Sequence, residues 1–251
     1  MKTVYIAGFT IIETMLFLAI STLFTIGVII GVGNSIGGQR YHDTITSLQS
    51  ILQQQFSDVN NEGHSTSSWS CVIDASGKPK LTNTVSSVPS GQSECIVLGK
   101  FISSGDGKTL NIKKVLGVAS SAYFTDDINA LFASKATITS VDSEDYKLEW
   151  GATLKKPSAG GVSNFSILIL RSPISGDVRT FIHPTSQVAD TAINSLVNLG
   201  NLSNSLTSCI KYDGSMGSDS TAIYISANAA SAGGVELWGG GVQKGGVYNG
   251  C

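Results

Sequence analysis

The sequence predicts an α+β fold, a long N-terminal helix set against an antiparallel, β-rich domain. Three observations predict it. From Thr14 to Gln39 there are 26 residues without a charged side chain, more than the ~20 that a helix needs to cross a bilayer. Ile45, Leu48, Ile51, Leu52, Phe56 and Val59 then recur at the spacing of one helical face, with Gln and Ser opposite. Beyond residue 62 the chain changes to short alternating or continuous apolar runs separated by turn residues, the pattern of strands.

The apolar run comes first in the chain. Between Phe9 and Val32 it holds fourteen Phe, Leu, Ile and Val residues. At roughly −0.3 to −0.6 kcal/mol each, these outweigh the roughly 2.5–3.5 kcal/mol cost of a carboxylate at the bilayer centre. Residues 9–33 are therefore read as a transmembrane helix that inserts in spite of Glu13. Gly31, Gly33, Gly37 and Gly38 follow, each costing a helix about 1 kcal/mol relative to Ala. Residues 34–61 are thus read as a Gly-rich stretch, either a hinge or a helix that loosens when copies pack together, and an amphipathic helix that begins near Arg40 and ends near Asn61. Its apolar stripe is expected to cover a sheet.

The remainder, 62–251, carries no linker that would split it and reads as one α+β domain. Trp69–Asp74 alternates and turns at Gly77-Lys78-Pro79. Strands at 95–102 and 109–118 flank Gly105-Asp106-Gly107, a hairpin signal because Asp-Gly tolerates positive φ. Thr125-Asp126-Asp127 reads as a cap with acids in the first turn of a helix through Phe132. Strands are expected at 136–141, 146–154, 165–171 and 178–182, a helix at 188–199, and further strands at 222–226 and 235–247.

Composition and motifs narrow the chemistry. A formal net charge of −2 supplies no global basic field for nucleic acid or acidic lipid. Charged residues are 14% of the chain against about 25% for average proteins; part of the deficit is the apolar run, and the rest is a neutral Ser, Thr, Asn and Gly surface that suits dense packing of copies and many extracellular proteins equally. No G-x-S-x-G elbow, Walker loop, H-E-x-x-H or dinucleotide fingerprint is present, so no catalytic, cofactor or metal residue is assigned. His42, His64 and His183 read as solvated or structurally satisfied. Asp213 to Asp219 reads as a turn, since it lacks the ligand order of an EF-hand. Asn164 and Asn201 sit in N-x-S sequons. Lys113-Lys114 and Lys155-Lys156 are basic pairs that would touch DNA only if the chain served uptake.

The Gly8-Phe9 junction and Glu13, five residues on when counted from Phe9, resemble the class III signal of type IV prepilins and pseudopilins. The resemblance is specific over residues 8–33. It implies a pilin-like fold and a leader, residues 1–8, removed by a membrane aspartyl prepilin peptidase that also methylates the Phe9 amine. The mature chain would have 243 residues. It implies that Glu13 pairs with the Phe9 amine of a neighbouring subunit during assembly, and each group supplies the partner that the other lacks in lipid. It further implies a filament subunit, held first in the cytoplasmic membrane and then in an extracellular pilus. Its partners would be copies of itself, the pilus assembly machinery and, outside the cell, a host surface or DNA.

Four cysteines allow three pairings, and none stands at C-x-x-C or zinc spacing. With an export-type N-terminus they read as disulfides. Cys71–Cys95 and Cys209–Cys251 are favoured because each encloses a compact segment, and a disulfide-closed C-terminal loop is a frequent pilin feature. The alternative from another class is a membrane-tethered extracellular enzyme or binding module that does not polymerise. It leaves Gly8-Phe9 and Glu13 without a role.

Overall fold

The computed structural model describes residues 10–61, 70–82, 95–119, 123–157, 160–186, 190–212, 221–239 and 251. Helix α1 (Ile11–Asn61) has 51 residues and is about 75 Å long at 1.5 Å per residue. It runs unbroken through Gly31, Gly33, Gly37 and Gly38, so of the two readings of that stretch the single chain has the continuous helix. Helix propagation gains one hydrogen bond per residue once a nucleus exists, and dispersed glycines inside a long helix weaken it without ending it. A Cβ added at Gly27, Gly31, Gly33 or Gly38 would meet nothing within 4 Å, so no packed neighbour bends the helix there.

Eleven strands lie among the described residues: β1 (Ser70–Ile73), β2 (Pro79–Thr82), β3 (Cys95–Ser104), β4 (Thr109–Val118), β5 (Thr137–Lys147), β6 (Thr153–Lys155), β7 (Phe165–Arg171), β8 (Val178–His183), β9 (Leu206–Lys211), β10 (Thr221–Ile225) and β11 (Val235–Trp238). They pair antiparallel as a β1–β2 hairpin, a five-stranded sheet in the order β5-β4-β3-β7-β8, and a four-stranded sheet in the order β11-β10-β9-β6. The architecture is α+β, as the sequence predicts. The β3–β4 turn forms where Gly105-Asp106-Gly107 predicts it. Asp106 Oδ1 accepts from the Lys108 and Thr109 N–H groups at 2.8 Å each. Gly107 takes φ +66°, and a Cβ on it would stand 2.6 Å from the Leu154 carbonyl oxygen, so only glycine suits that position.

The second half of α1 closes the main core. Tyr41, Ile45, Leu48, Leu52, Phe56 and Val59 are buried along one face, with Ile51 partly buried beside them. They meet Ile102, Ile112, Ile167 and Ile169 of the larger sheet and Ile210, Ile223 and Val235 of the smaller one. Burying a large aliphatic side chain contributes about 1.5–3 kcal/mol, so this stripe fixes where the helix leaves the domain. A second core covers the opposite face of the five-stranded sheet. There Phe101, Leu168, Leu170 and Phe181 pack under Leu131 of α2 (Asp127–Ala133) and Ile193 of a 3₁₀ turn (Asp190–Leu196). The two cores explain the continuous apolar run of β7. Ile167 and Ile169 face one core while Leu168 and Leu170 face the other.

Three elements differ from expectation. The strands expected at 136–141 and 146–154 are one strand, β5, followed by a 3₁₀ turn (Glu149–Gly151) and then β6 in the other sheet. Trp150 at φ 54° and Gly151 at φ 76° swing the chain from one sheet to the next. The helix expected at 188–199 is the 3₁₀ turn Asp190–Leu196 and then α3 (Leu199–Leu202). Asn198 is extended (φ −152°, ψ 161°) and caps α3 by accepting from the Asn201 N–H. Strand β9 lies between β6 and β10, where no strand is expected. Of the strand expected at 235–247, residues 235–238 are strand and 240–247 lie outside the described residues.

Candidate functional site

The first half of α1 carries its apolar side chains bare. Ile11 is 77% exposed, Phe17 70%, Phe24 75% and Ile29 65%. The helix is long and apolar enough to cross a membrane, and none of its most apolar stretch is buried against the domain. A contiguous apolar surface of this extent is not stable in water without a lipid or protein cover. Its hydroxyls are already satisfied within the helix. Thr14 Oγ1 donates to the Ile11 carbonyl at 2.8 Å, Thr22 Oγ1 to Ala19 at 2.9 Å and Thr25 Oγ1 to Ser21 at 2.8 Å. Those threonines therefore enter an apolar medium without stranding a donor.

Thr10 stands just before the helix. Its side-chain oxygen accepts from the Glu13 N–H at 3.3 Å, and its carbonyl accepts from the Thr14 N–H at 3.2 Å. Thr10-x-x-Glu13 is the capping-box spacing, with the acid in the first turn, where the helix dipole favours negative charge. The cap uses the Glu13 backbone N–H, so of the side chain only its first-turn charge has a local role besides the assembly role implied by the resemblance. Gly8 and Phe9, the expected cleavage and methylation positions, lie outside the described residues.

Where the helix enters the domain, three contacts lock it. The Thr221 N–H donates to Tyr41 Oη at 2.9 Å, and Tyr41 Oη donates to the Ile210 carbonyl at 3.3 Å. Thr44 Oγ1 donates to the Arg40 carbonyl at 2.9 Å, with the Glu149 carbonyl a longer second acceptor at 3.4 Å. One residue before Tyr41, the Arg40 guanidinium lies over the Trp150 ring, 4.6 Å from its centroid.

Both disulfides form: Cys71–Cys95 with Cα atoms 6.0 Å apart and Cys209–Cys251 at 5.4 Å. The first ties the β1–β2 hairpin to β3. The second ties Cys251 to β9, where Lys211 Nζ also donates to the Cys251 carbonyl oxygen at 2.6 Å.

The remaining candidates are scattered. His42 is exposed on α1, and His183 Nδ1 shares a 2.9 Å hydrogen bond with Thr185 Oγ1. His64 and 213–219 lie outside the described residues. Asn201 is 8% exposed and donates from Nδ2 to the Leu196 carbonyl, which leaves no room for a glycan; the Asn164 Oδ1 is buried without a partner. Lys113-Lys114 and Lys155-Lys156 sit in different sheets and do not form one basic track. Among the described residues, no group of three or more His, Cys, Asp or Glu side chains could hold a metal ion.

Sequence reasoning placed Thr10 in the Gly8-Phe9-Thr10 signal without giving it a capping role, and passed over Tyr41 and the Arg40–Trp150 pair. The T-x-x-E spacing was a readable signal for the first. The other two depend on residues more than a hundred positions away and had none. No protein-family model, curated protein or solved structure matches the chain.

Proposed function

We propose that this chain is a structural subunit of a type IV pilus or pilus-like filament. The observation that carries the reading is the division of α1. One half presents bare apolar side chains, and the other half closes the core of a disulfide-stapled domain. A prepilin peptidase cuts after Gly8 and methylates the Phe9 amine. The helix holds the precursor in the cytoplasmic membrane and then packs with other copies in the filament core.

The transfer from lipid to protein keeps the apolar surface away from water throughout. Attraction between helices then comes from close packing rather than from further burial, and Gly27 and Gly31 favour such approach. Glu13 sets the axial register by pairing with the Phe9 amine of a neighbour. The domain faces outward and supplies contacts for adhesion, motility or DNA uptake.

Glu13→Ala tests the reading. The expected result is loss of sheared surface filaments with both disulfides and the domain fold retained. An unchanged filament yield contradicts it.

A further inference from the structure

Trp150 is 51% exposed and adopts φ 54°, ψ 23°, a left-handed conformation unfavourable for a non-glycine residue. No residue of its turn is buried, so core packing does not demand an indole there. The turn is nevertheless held firmly. The Leu148 N–H donates to the Lys108 carbonyl at 2.8 Å, the Glu149 carbonyl accepts from Thr44, and Ala152 is buried. A fixed, strained and half-exposed indole beneath a guanidinium is a surface feature in want of a partner.

Its place along α1 identifies the partner. Arg40 is the first charged residue after Glu13. It stands eight residues, about 12 Å, beyond Val32, the last residue of the apolar run. The headgroup layer is about 5–7 Å thick on each side of the hydrocarbon. Helical Cα–Cβ bonds lean toward the N-terminus, here the membrane side, and a span tilted by ~20° lowers one flank of the domain further. That leaves the Arg40 backbone about 5–7 Å outside the headgroups, a gap that an arginine or tryptophan side chain can span.

We infer that Arg40 and Trp150 form an interfacial anchor that seats the base of the domain on the lipid headgroups. The indole enters the interfacial layer, as tryptophans at membrane boundaries do. The guanidinium takes the phosphate oxygens while keeping its cation–π contact. The anchor rests on the reading of α1 as a membrane span. It adds an orientation: the rim carrying residues 149–151 faces the bilayer in the membrane-held subunit.

The test uses the full chain reconstituted in phosphatidylcholine vesicles, with and without lipid brominated at shallow acyl positions. Tryptophan quenching is compared between the native sequence, Trp150→Phe and Arg40→Ala, with protease protection of the helix as the measure of insertion. The expected result is quenching that Trp150→Phe largely removes and Arg40→Ala weakens. Equal quenching of the native and Trp150→Phe chains in protease-protected vesicles overturns the anchor and leaves the span standing. Failure to insert overturns both. Quenching attributable to Trp150 that grows with protein density at fixed lipid assigns the indole to a contact between copies and overturns the anchor.

Discussion

The Thr10 side-chain oxygen accepts a hydrogen bond from the Glu13 N–H at 3.3 Å, so the single acid of the apolar segment is also part of its helix start. Two roles for Glu13 can be separated. Gln at this position keeps the backbone N–H that Thr10 caps and the size of the side chain but removes the charge. Glu13→Gln is expected to leave helicity in detergent micelles unchanged, by circular dichroism, and to abolish filaments as fully as Glu13→Ala. A Gln variant that assembles normally contradicts the charge pair.

Tyr41 joins α1 to the smaller sheet through two hydrogen bonds from one hydroxyl. Tyr41→Phe leaves the Thr221 N–H and Ile210 carbonyl without that partner and is expected to destabilise the domain by about 1–3 kcal/mol. Leu48→Ala, at a position with no exposed surface, is expected to cost about 2–5 kcal/mol. Urea unfolding of the detergent-solubilised chain measures both. A Leu48→Ala midpoint equal to that of the native chain contradicts the packing of α1 on the domain.

Ser172 Oγ donates to Asp127 Oδ1 at 2.7 Å, and Arg179 pairs with Oδ2 at 2.9 Å. The Ser172 hydrogen bond first and Arg179 second hold the Asp127 carboxyl below the usual carboxylate range. A carboxyl lowered in the folded state stabilises it above the unfolded pKa, and that contribution is lost as pH falls through the folded value. Stability is therefore expected to drop below about pH 4, and Asp127→Asn to lose less over the same range. Denaturant midpoints at neutral and acid pH check this; an identical acid loss in the variant contradicts it.

The disulfides close segments of 24 and 42 residues. Chain-entropy arguments give about 3–4 kcal/mol for loops of these lengths. Replacing either pair with serine is expected to lower the thermal midpoint, with the Cys209–Cys251 pair the larger loss. An equal midpoint for the double-serine chain at 209 and 251 means that the contacts of Cys251 and Lys211 hold the segment alone.

Local signals were legible where the causes are local. The stripe from Ile45 to Val59 follows helical spacing, the Asp106-Gly107 turn chemistry fixes a hairpin, and Asp126 caps α2. What the sequence could not disclose depends on distant partners. Strand β9 is short, with no alternation to mark it, and its burial comes from β6, β10 and the core that α1 closes. The end of β5 is set by two left-handed residues, one of them a tryptophan that propensity alone keeps extended. The glycines after Ile30 weaken the helix and leave a hinge or a loosened helix open, yet nothing packs against Gly31, Gly33 or Gly38 to exploit the weakness. At the candidate site, the apolar run and Glu13 were visible at once, whereas the Arg40–Trp150 contact joins residues 110 positions apart.

The most direct measurement is mass spectrometry of the N-terminal peptide from filaments sheared off cells that make this protein. The account predicts a peptide that begins at Phe9 and carries one added methyl group on its amine. An intact Met1 start, found only in the membrane fraction, would contradict it.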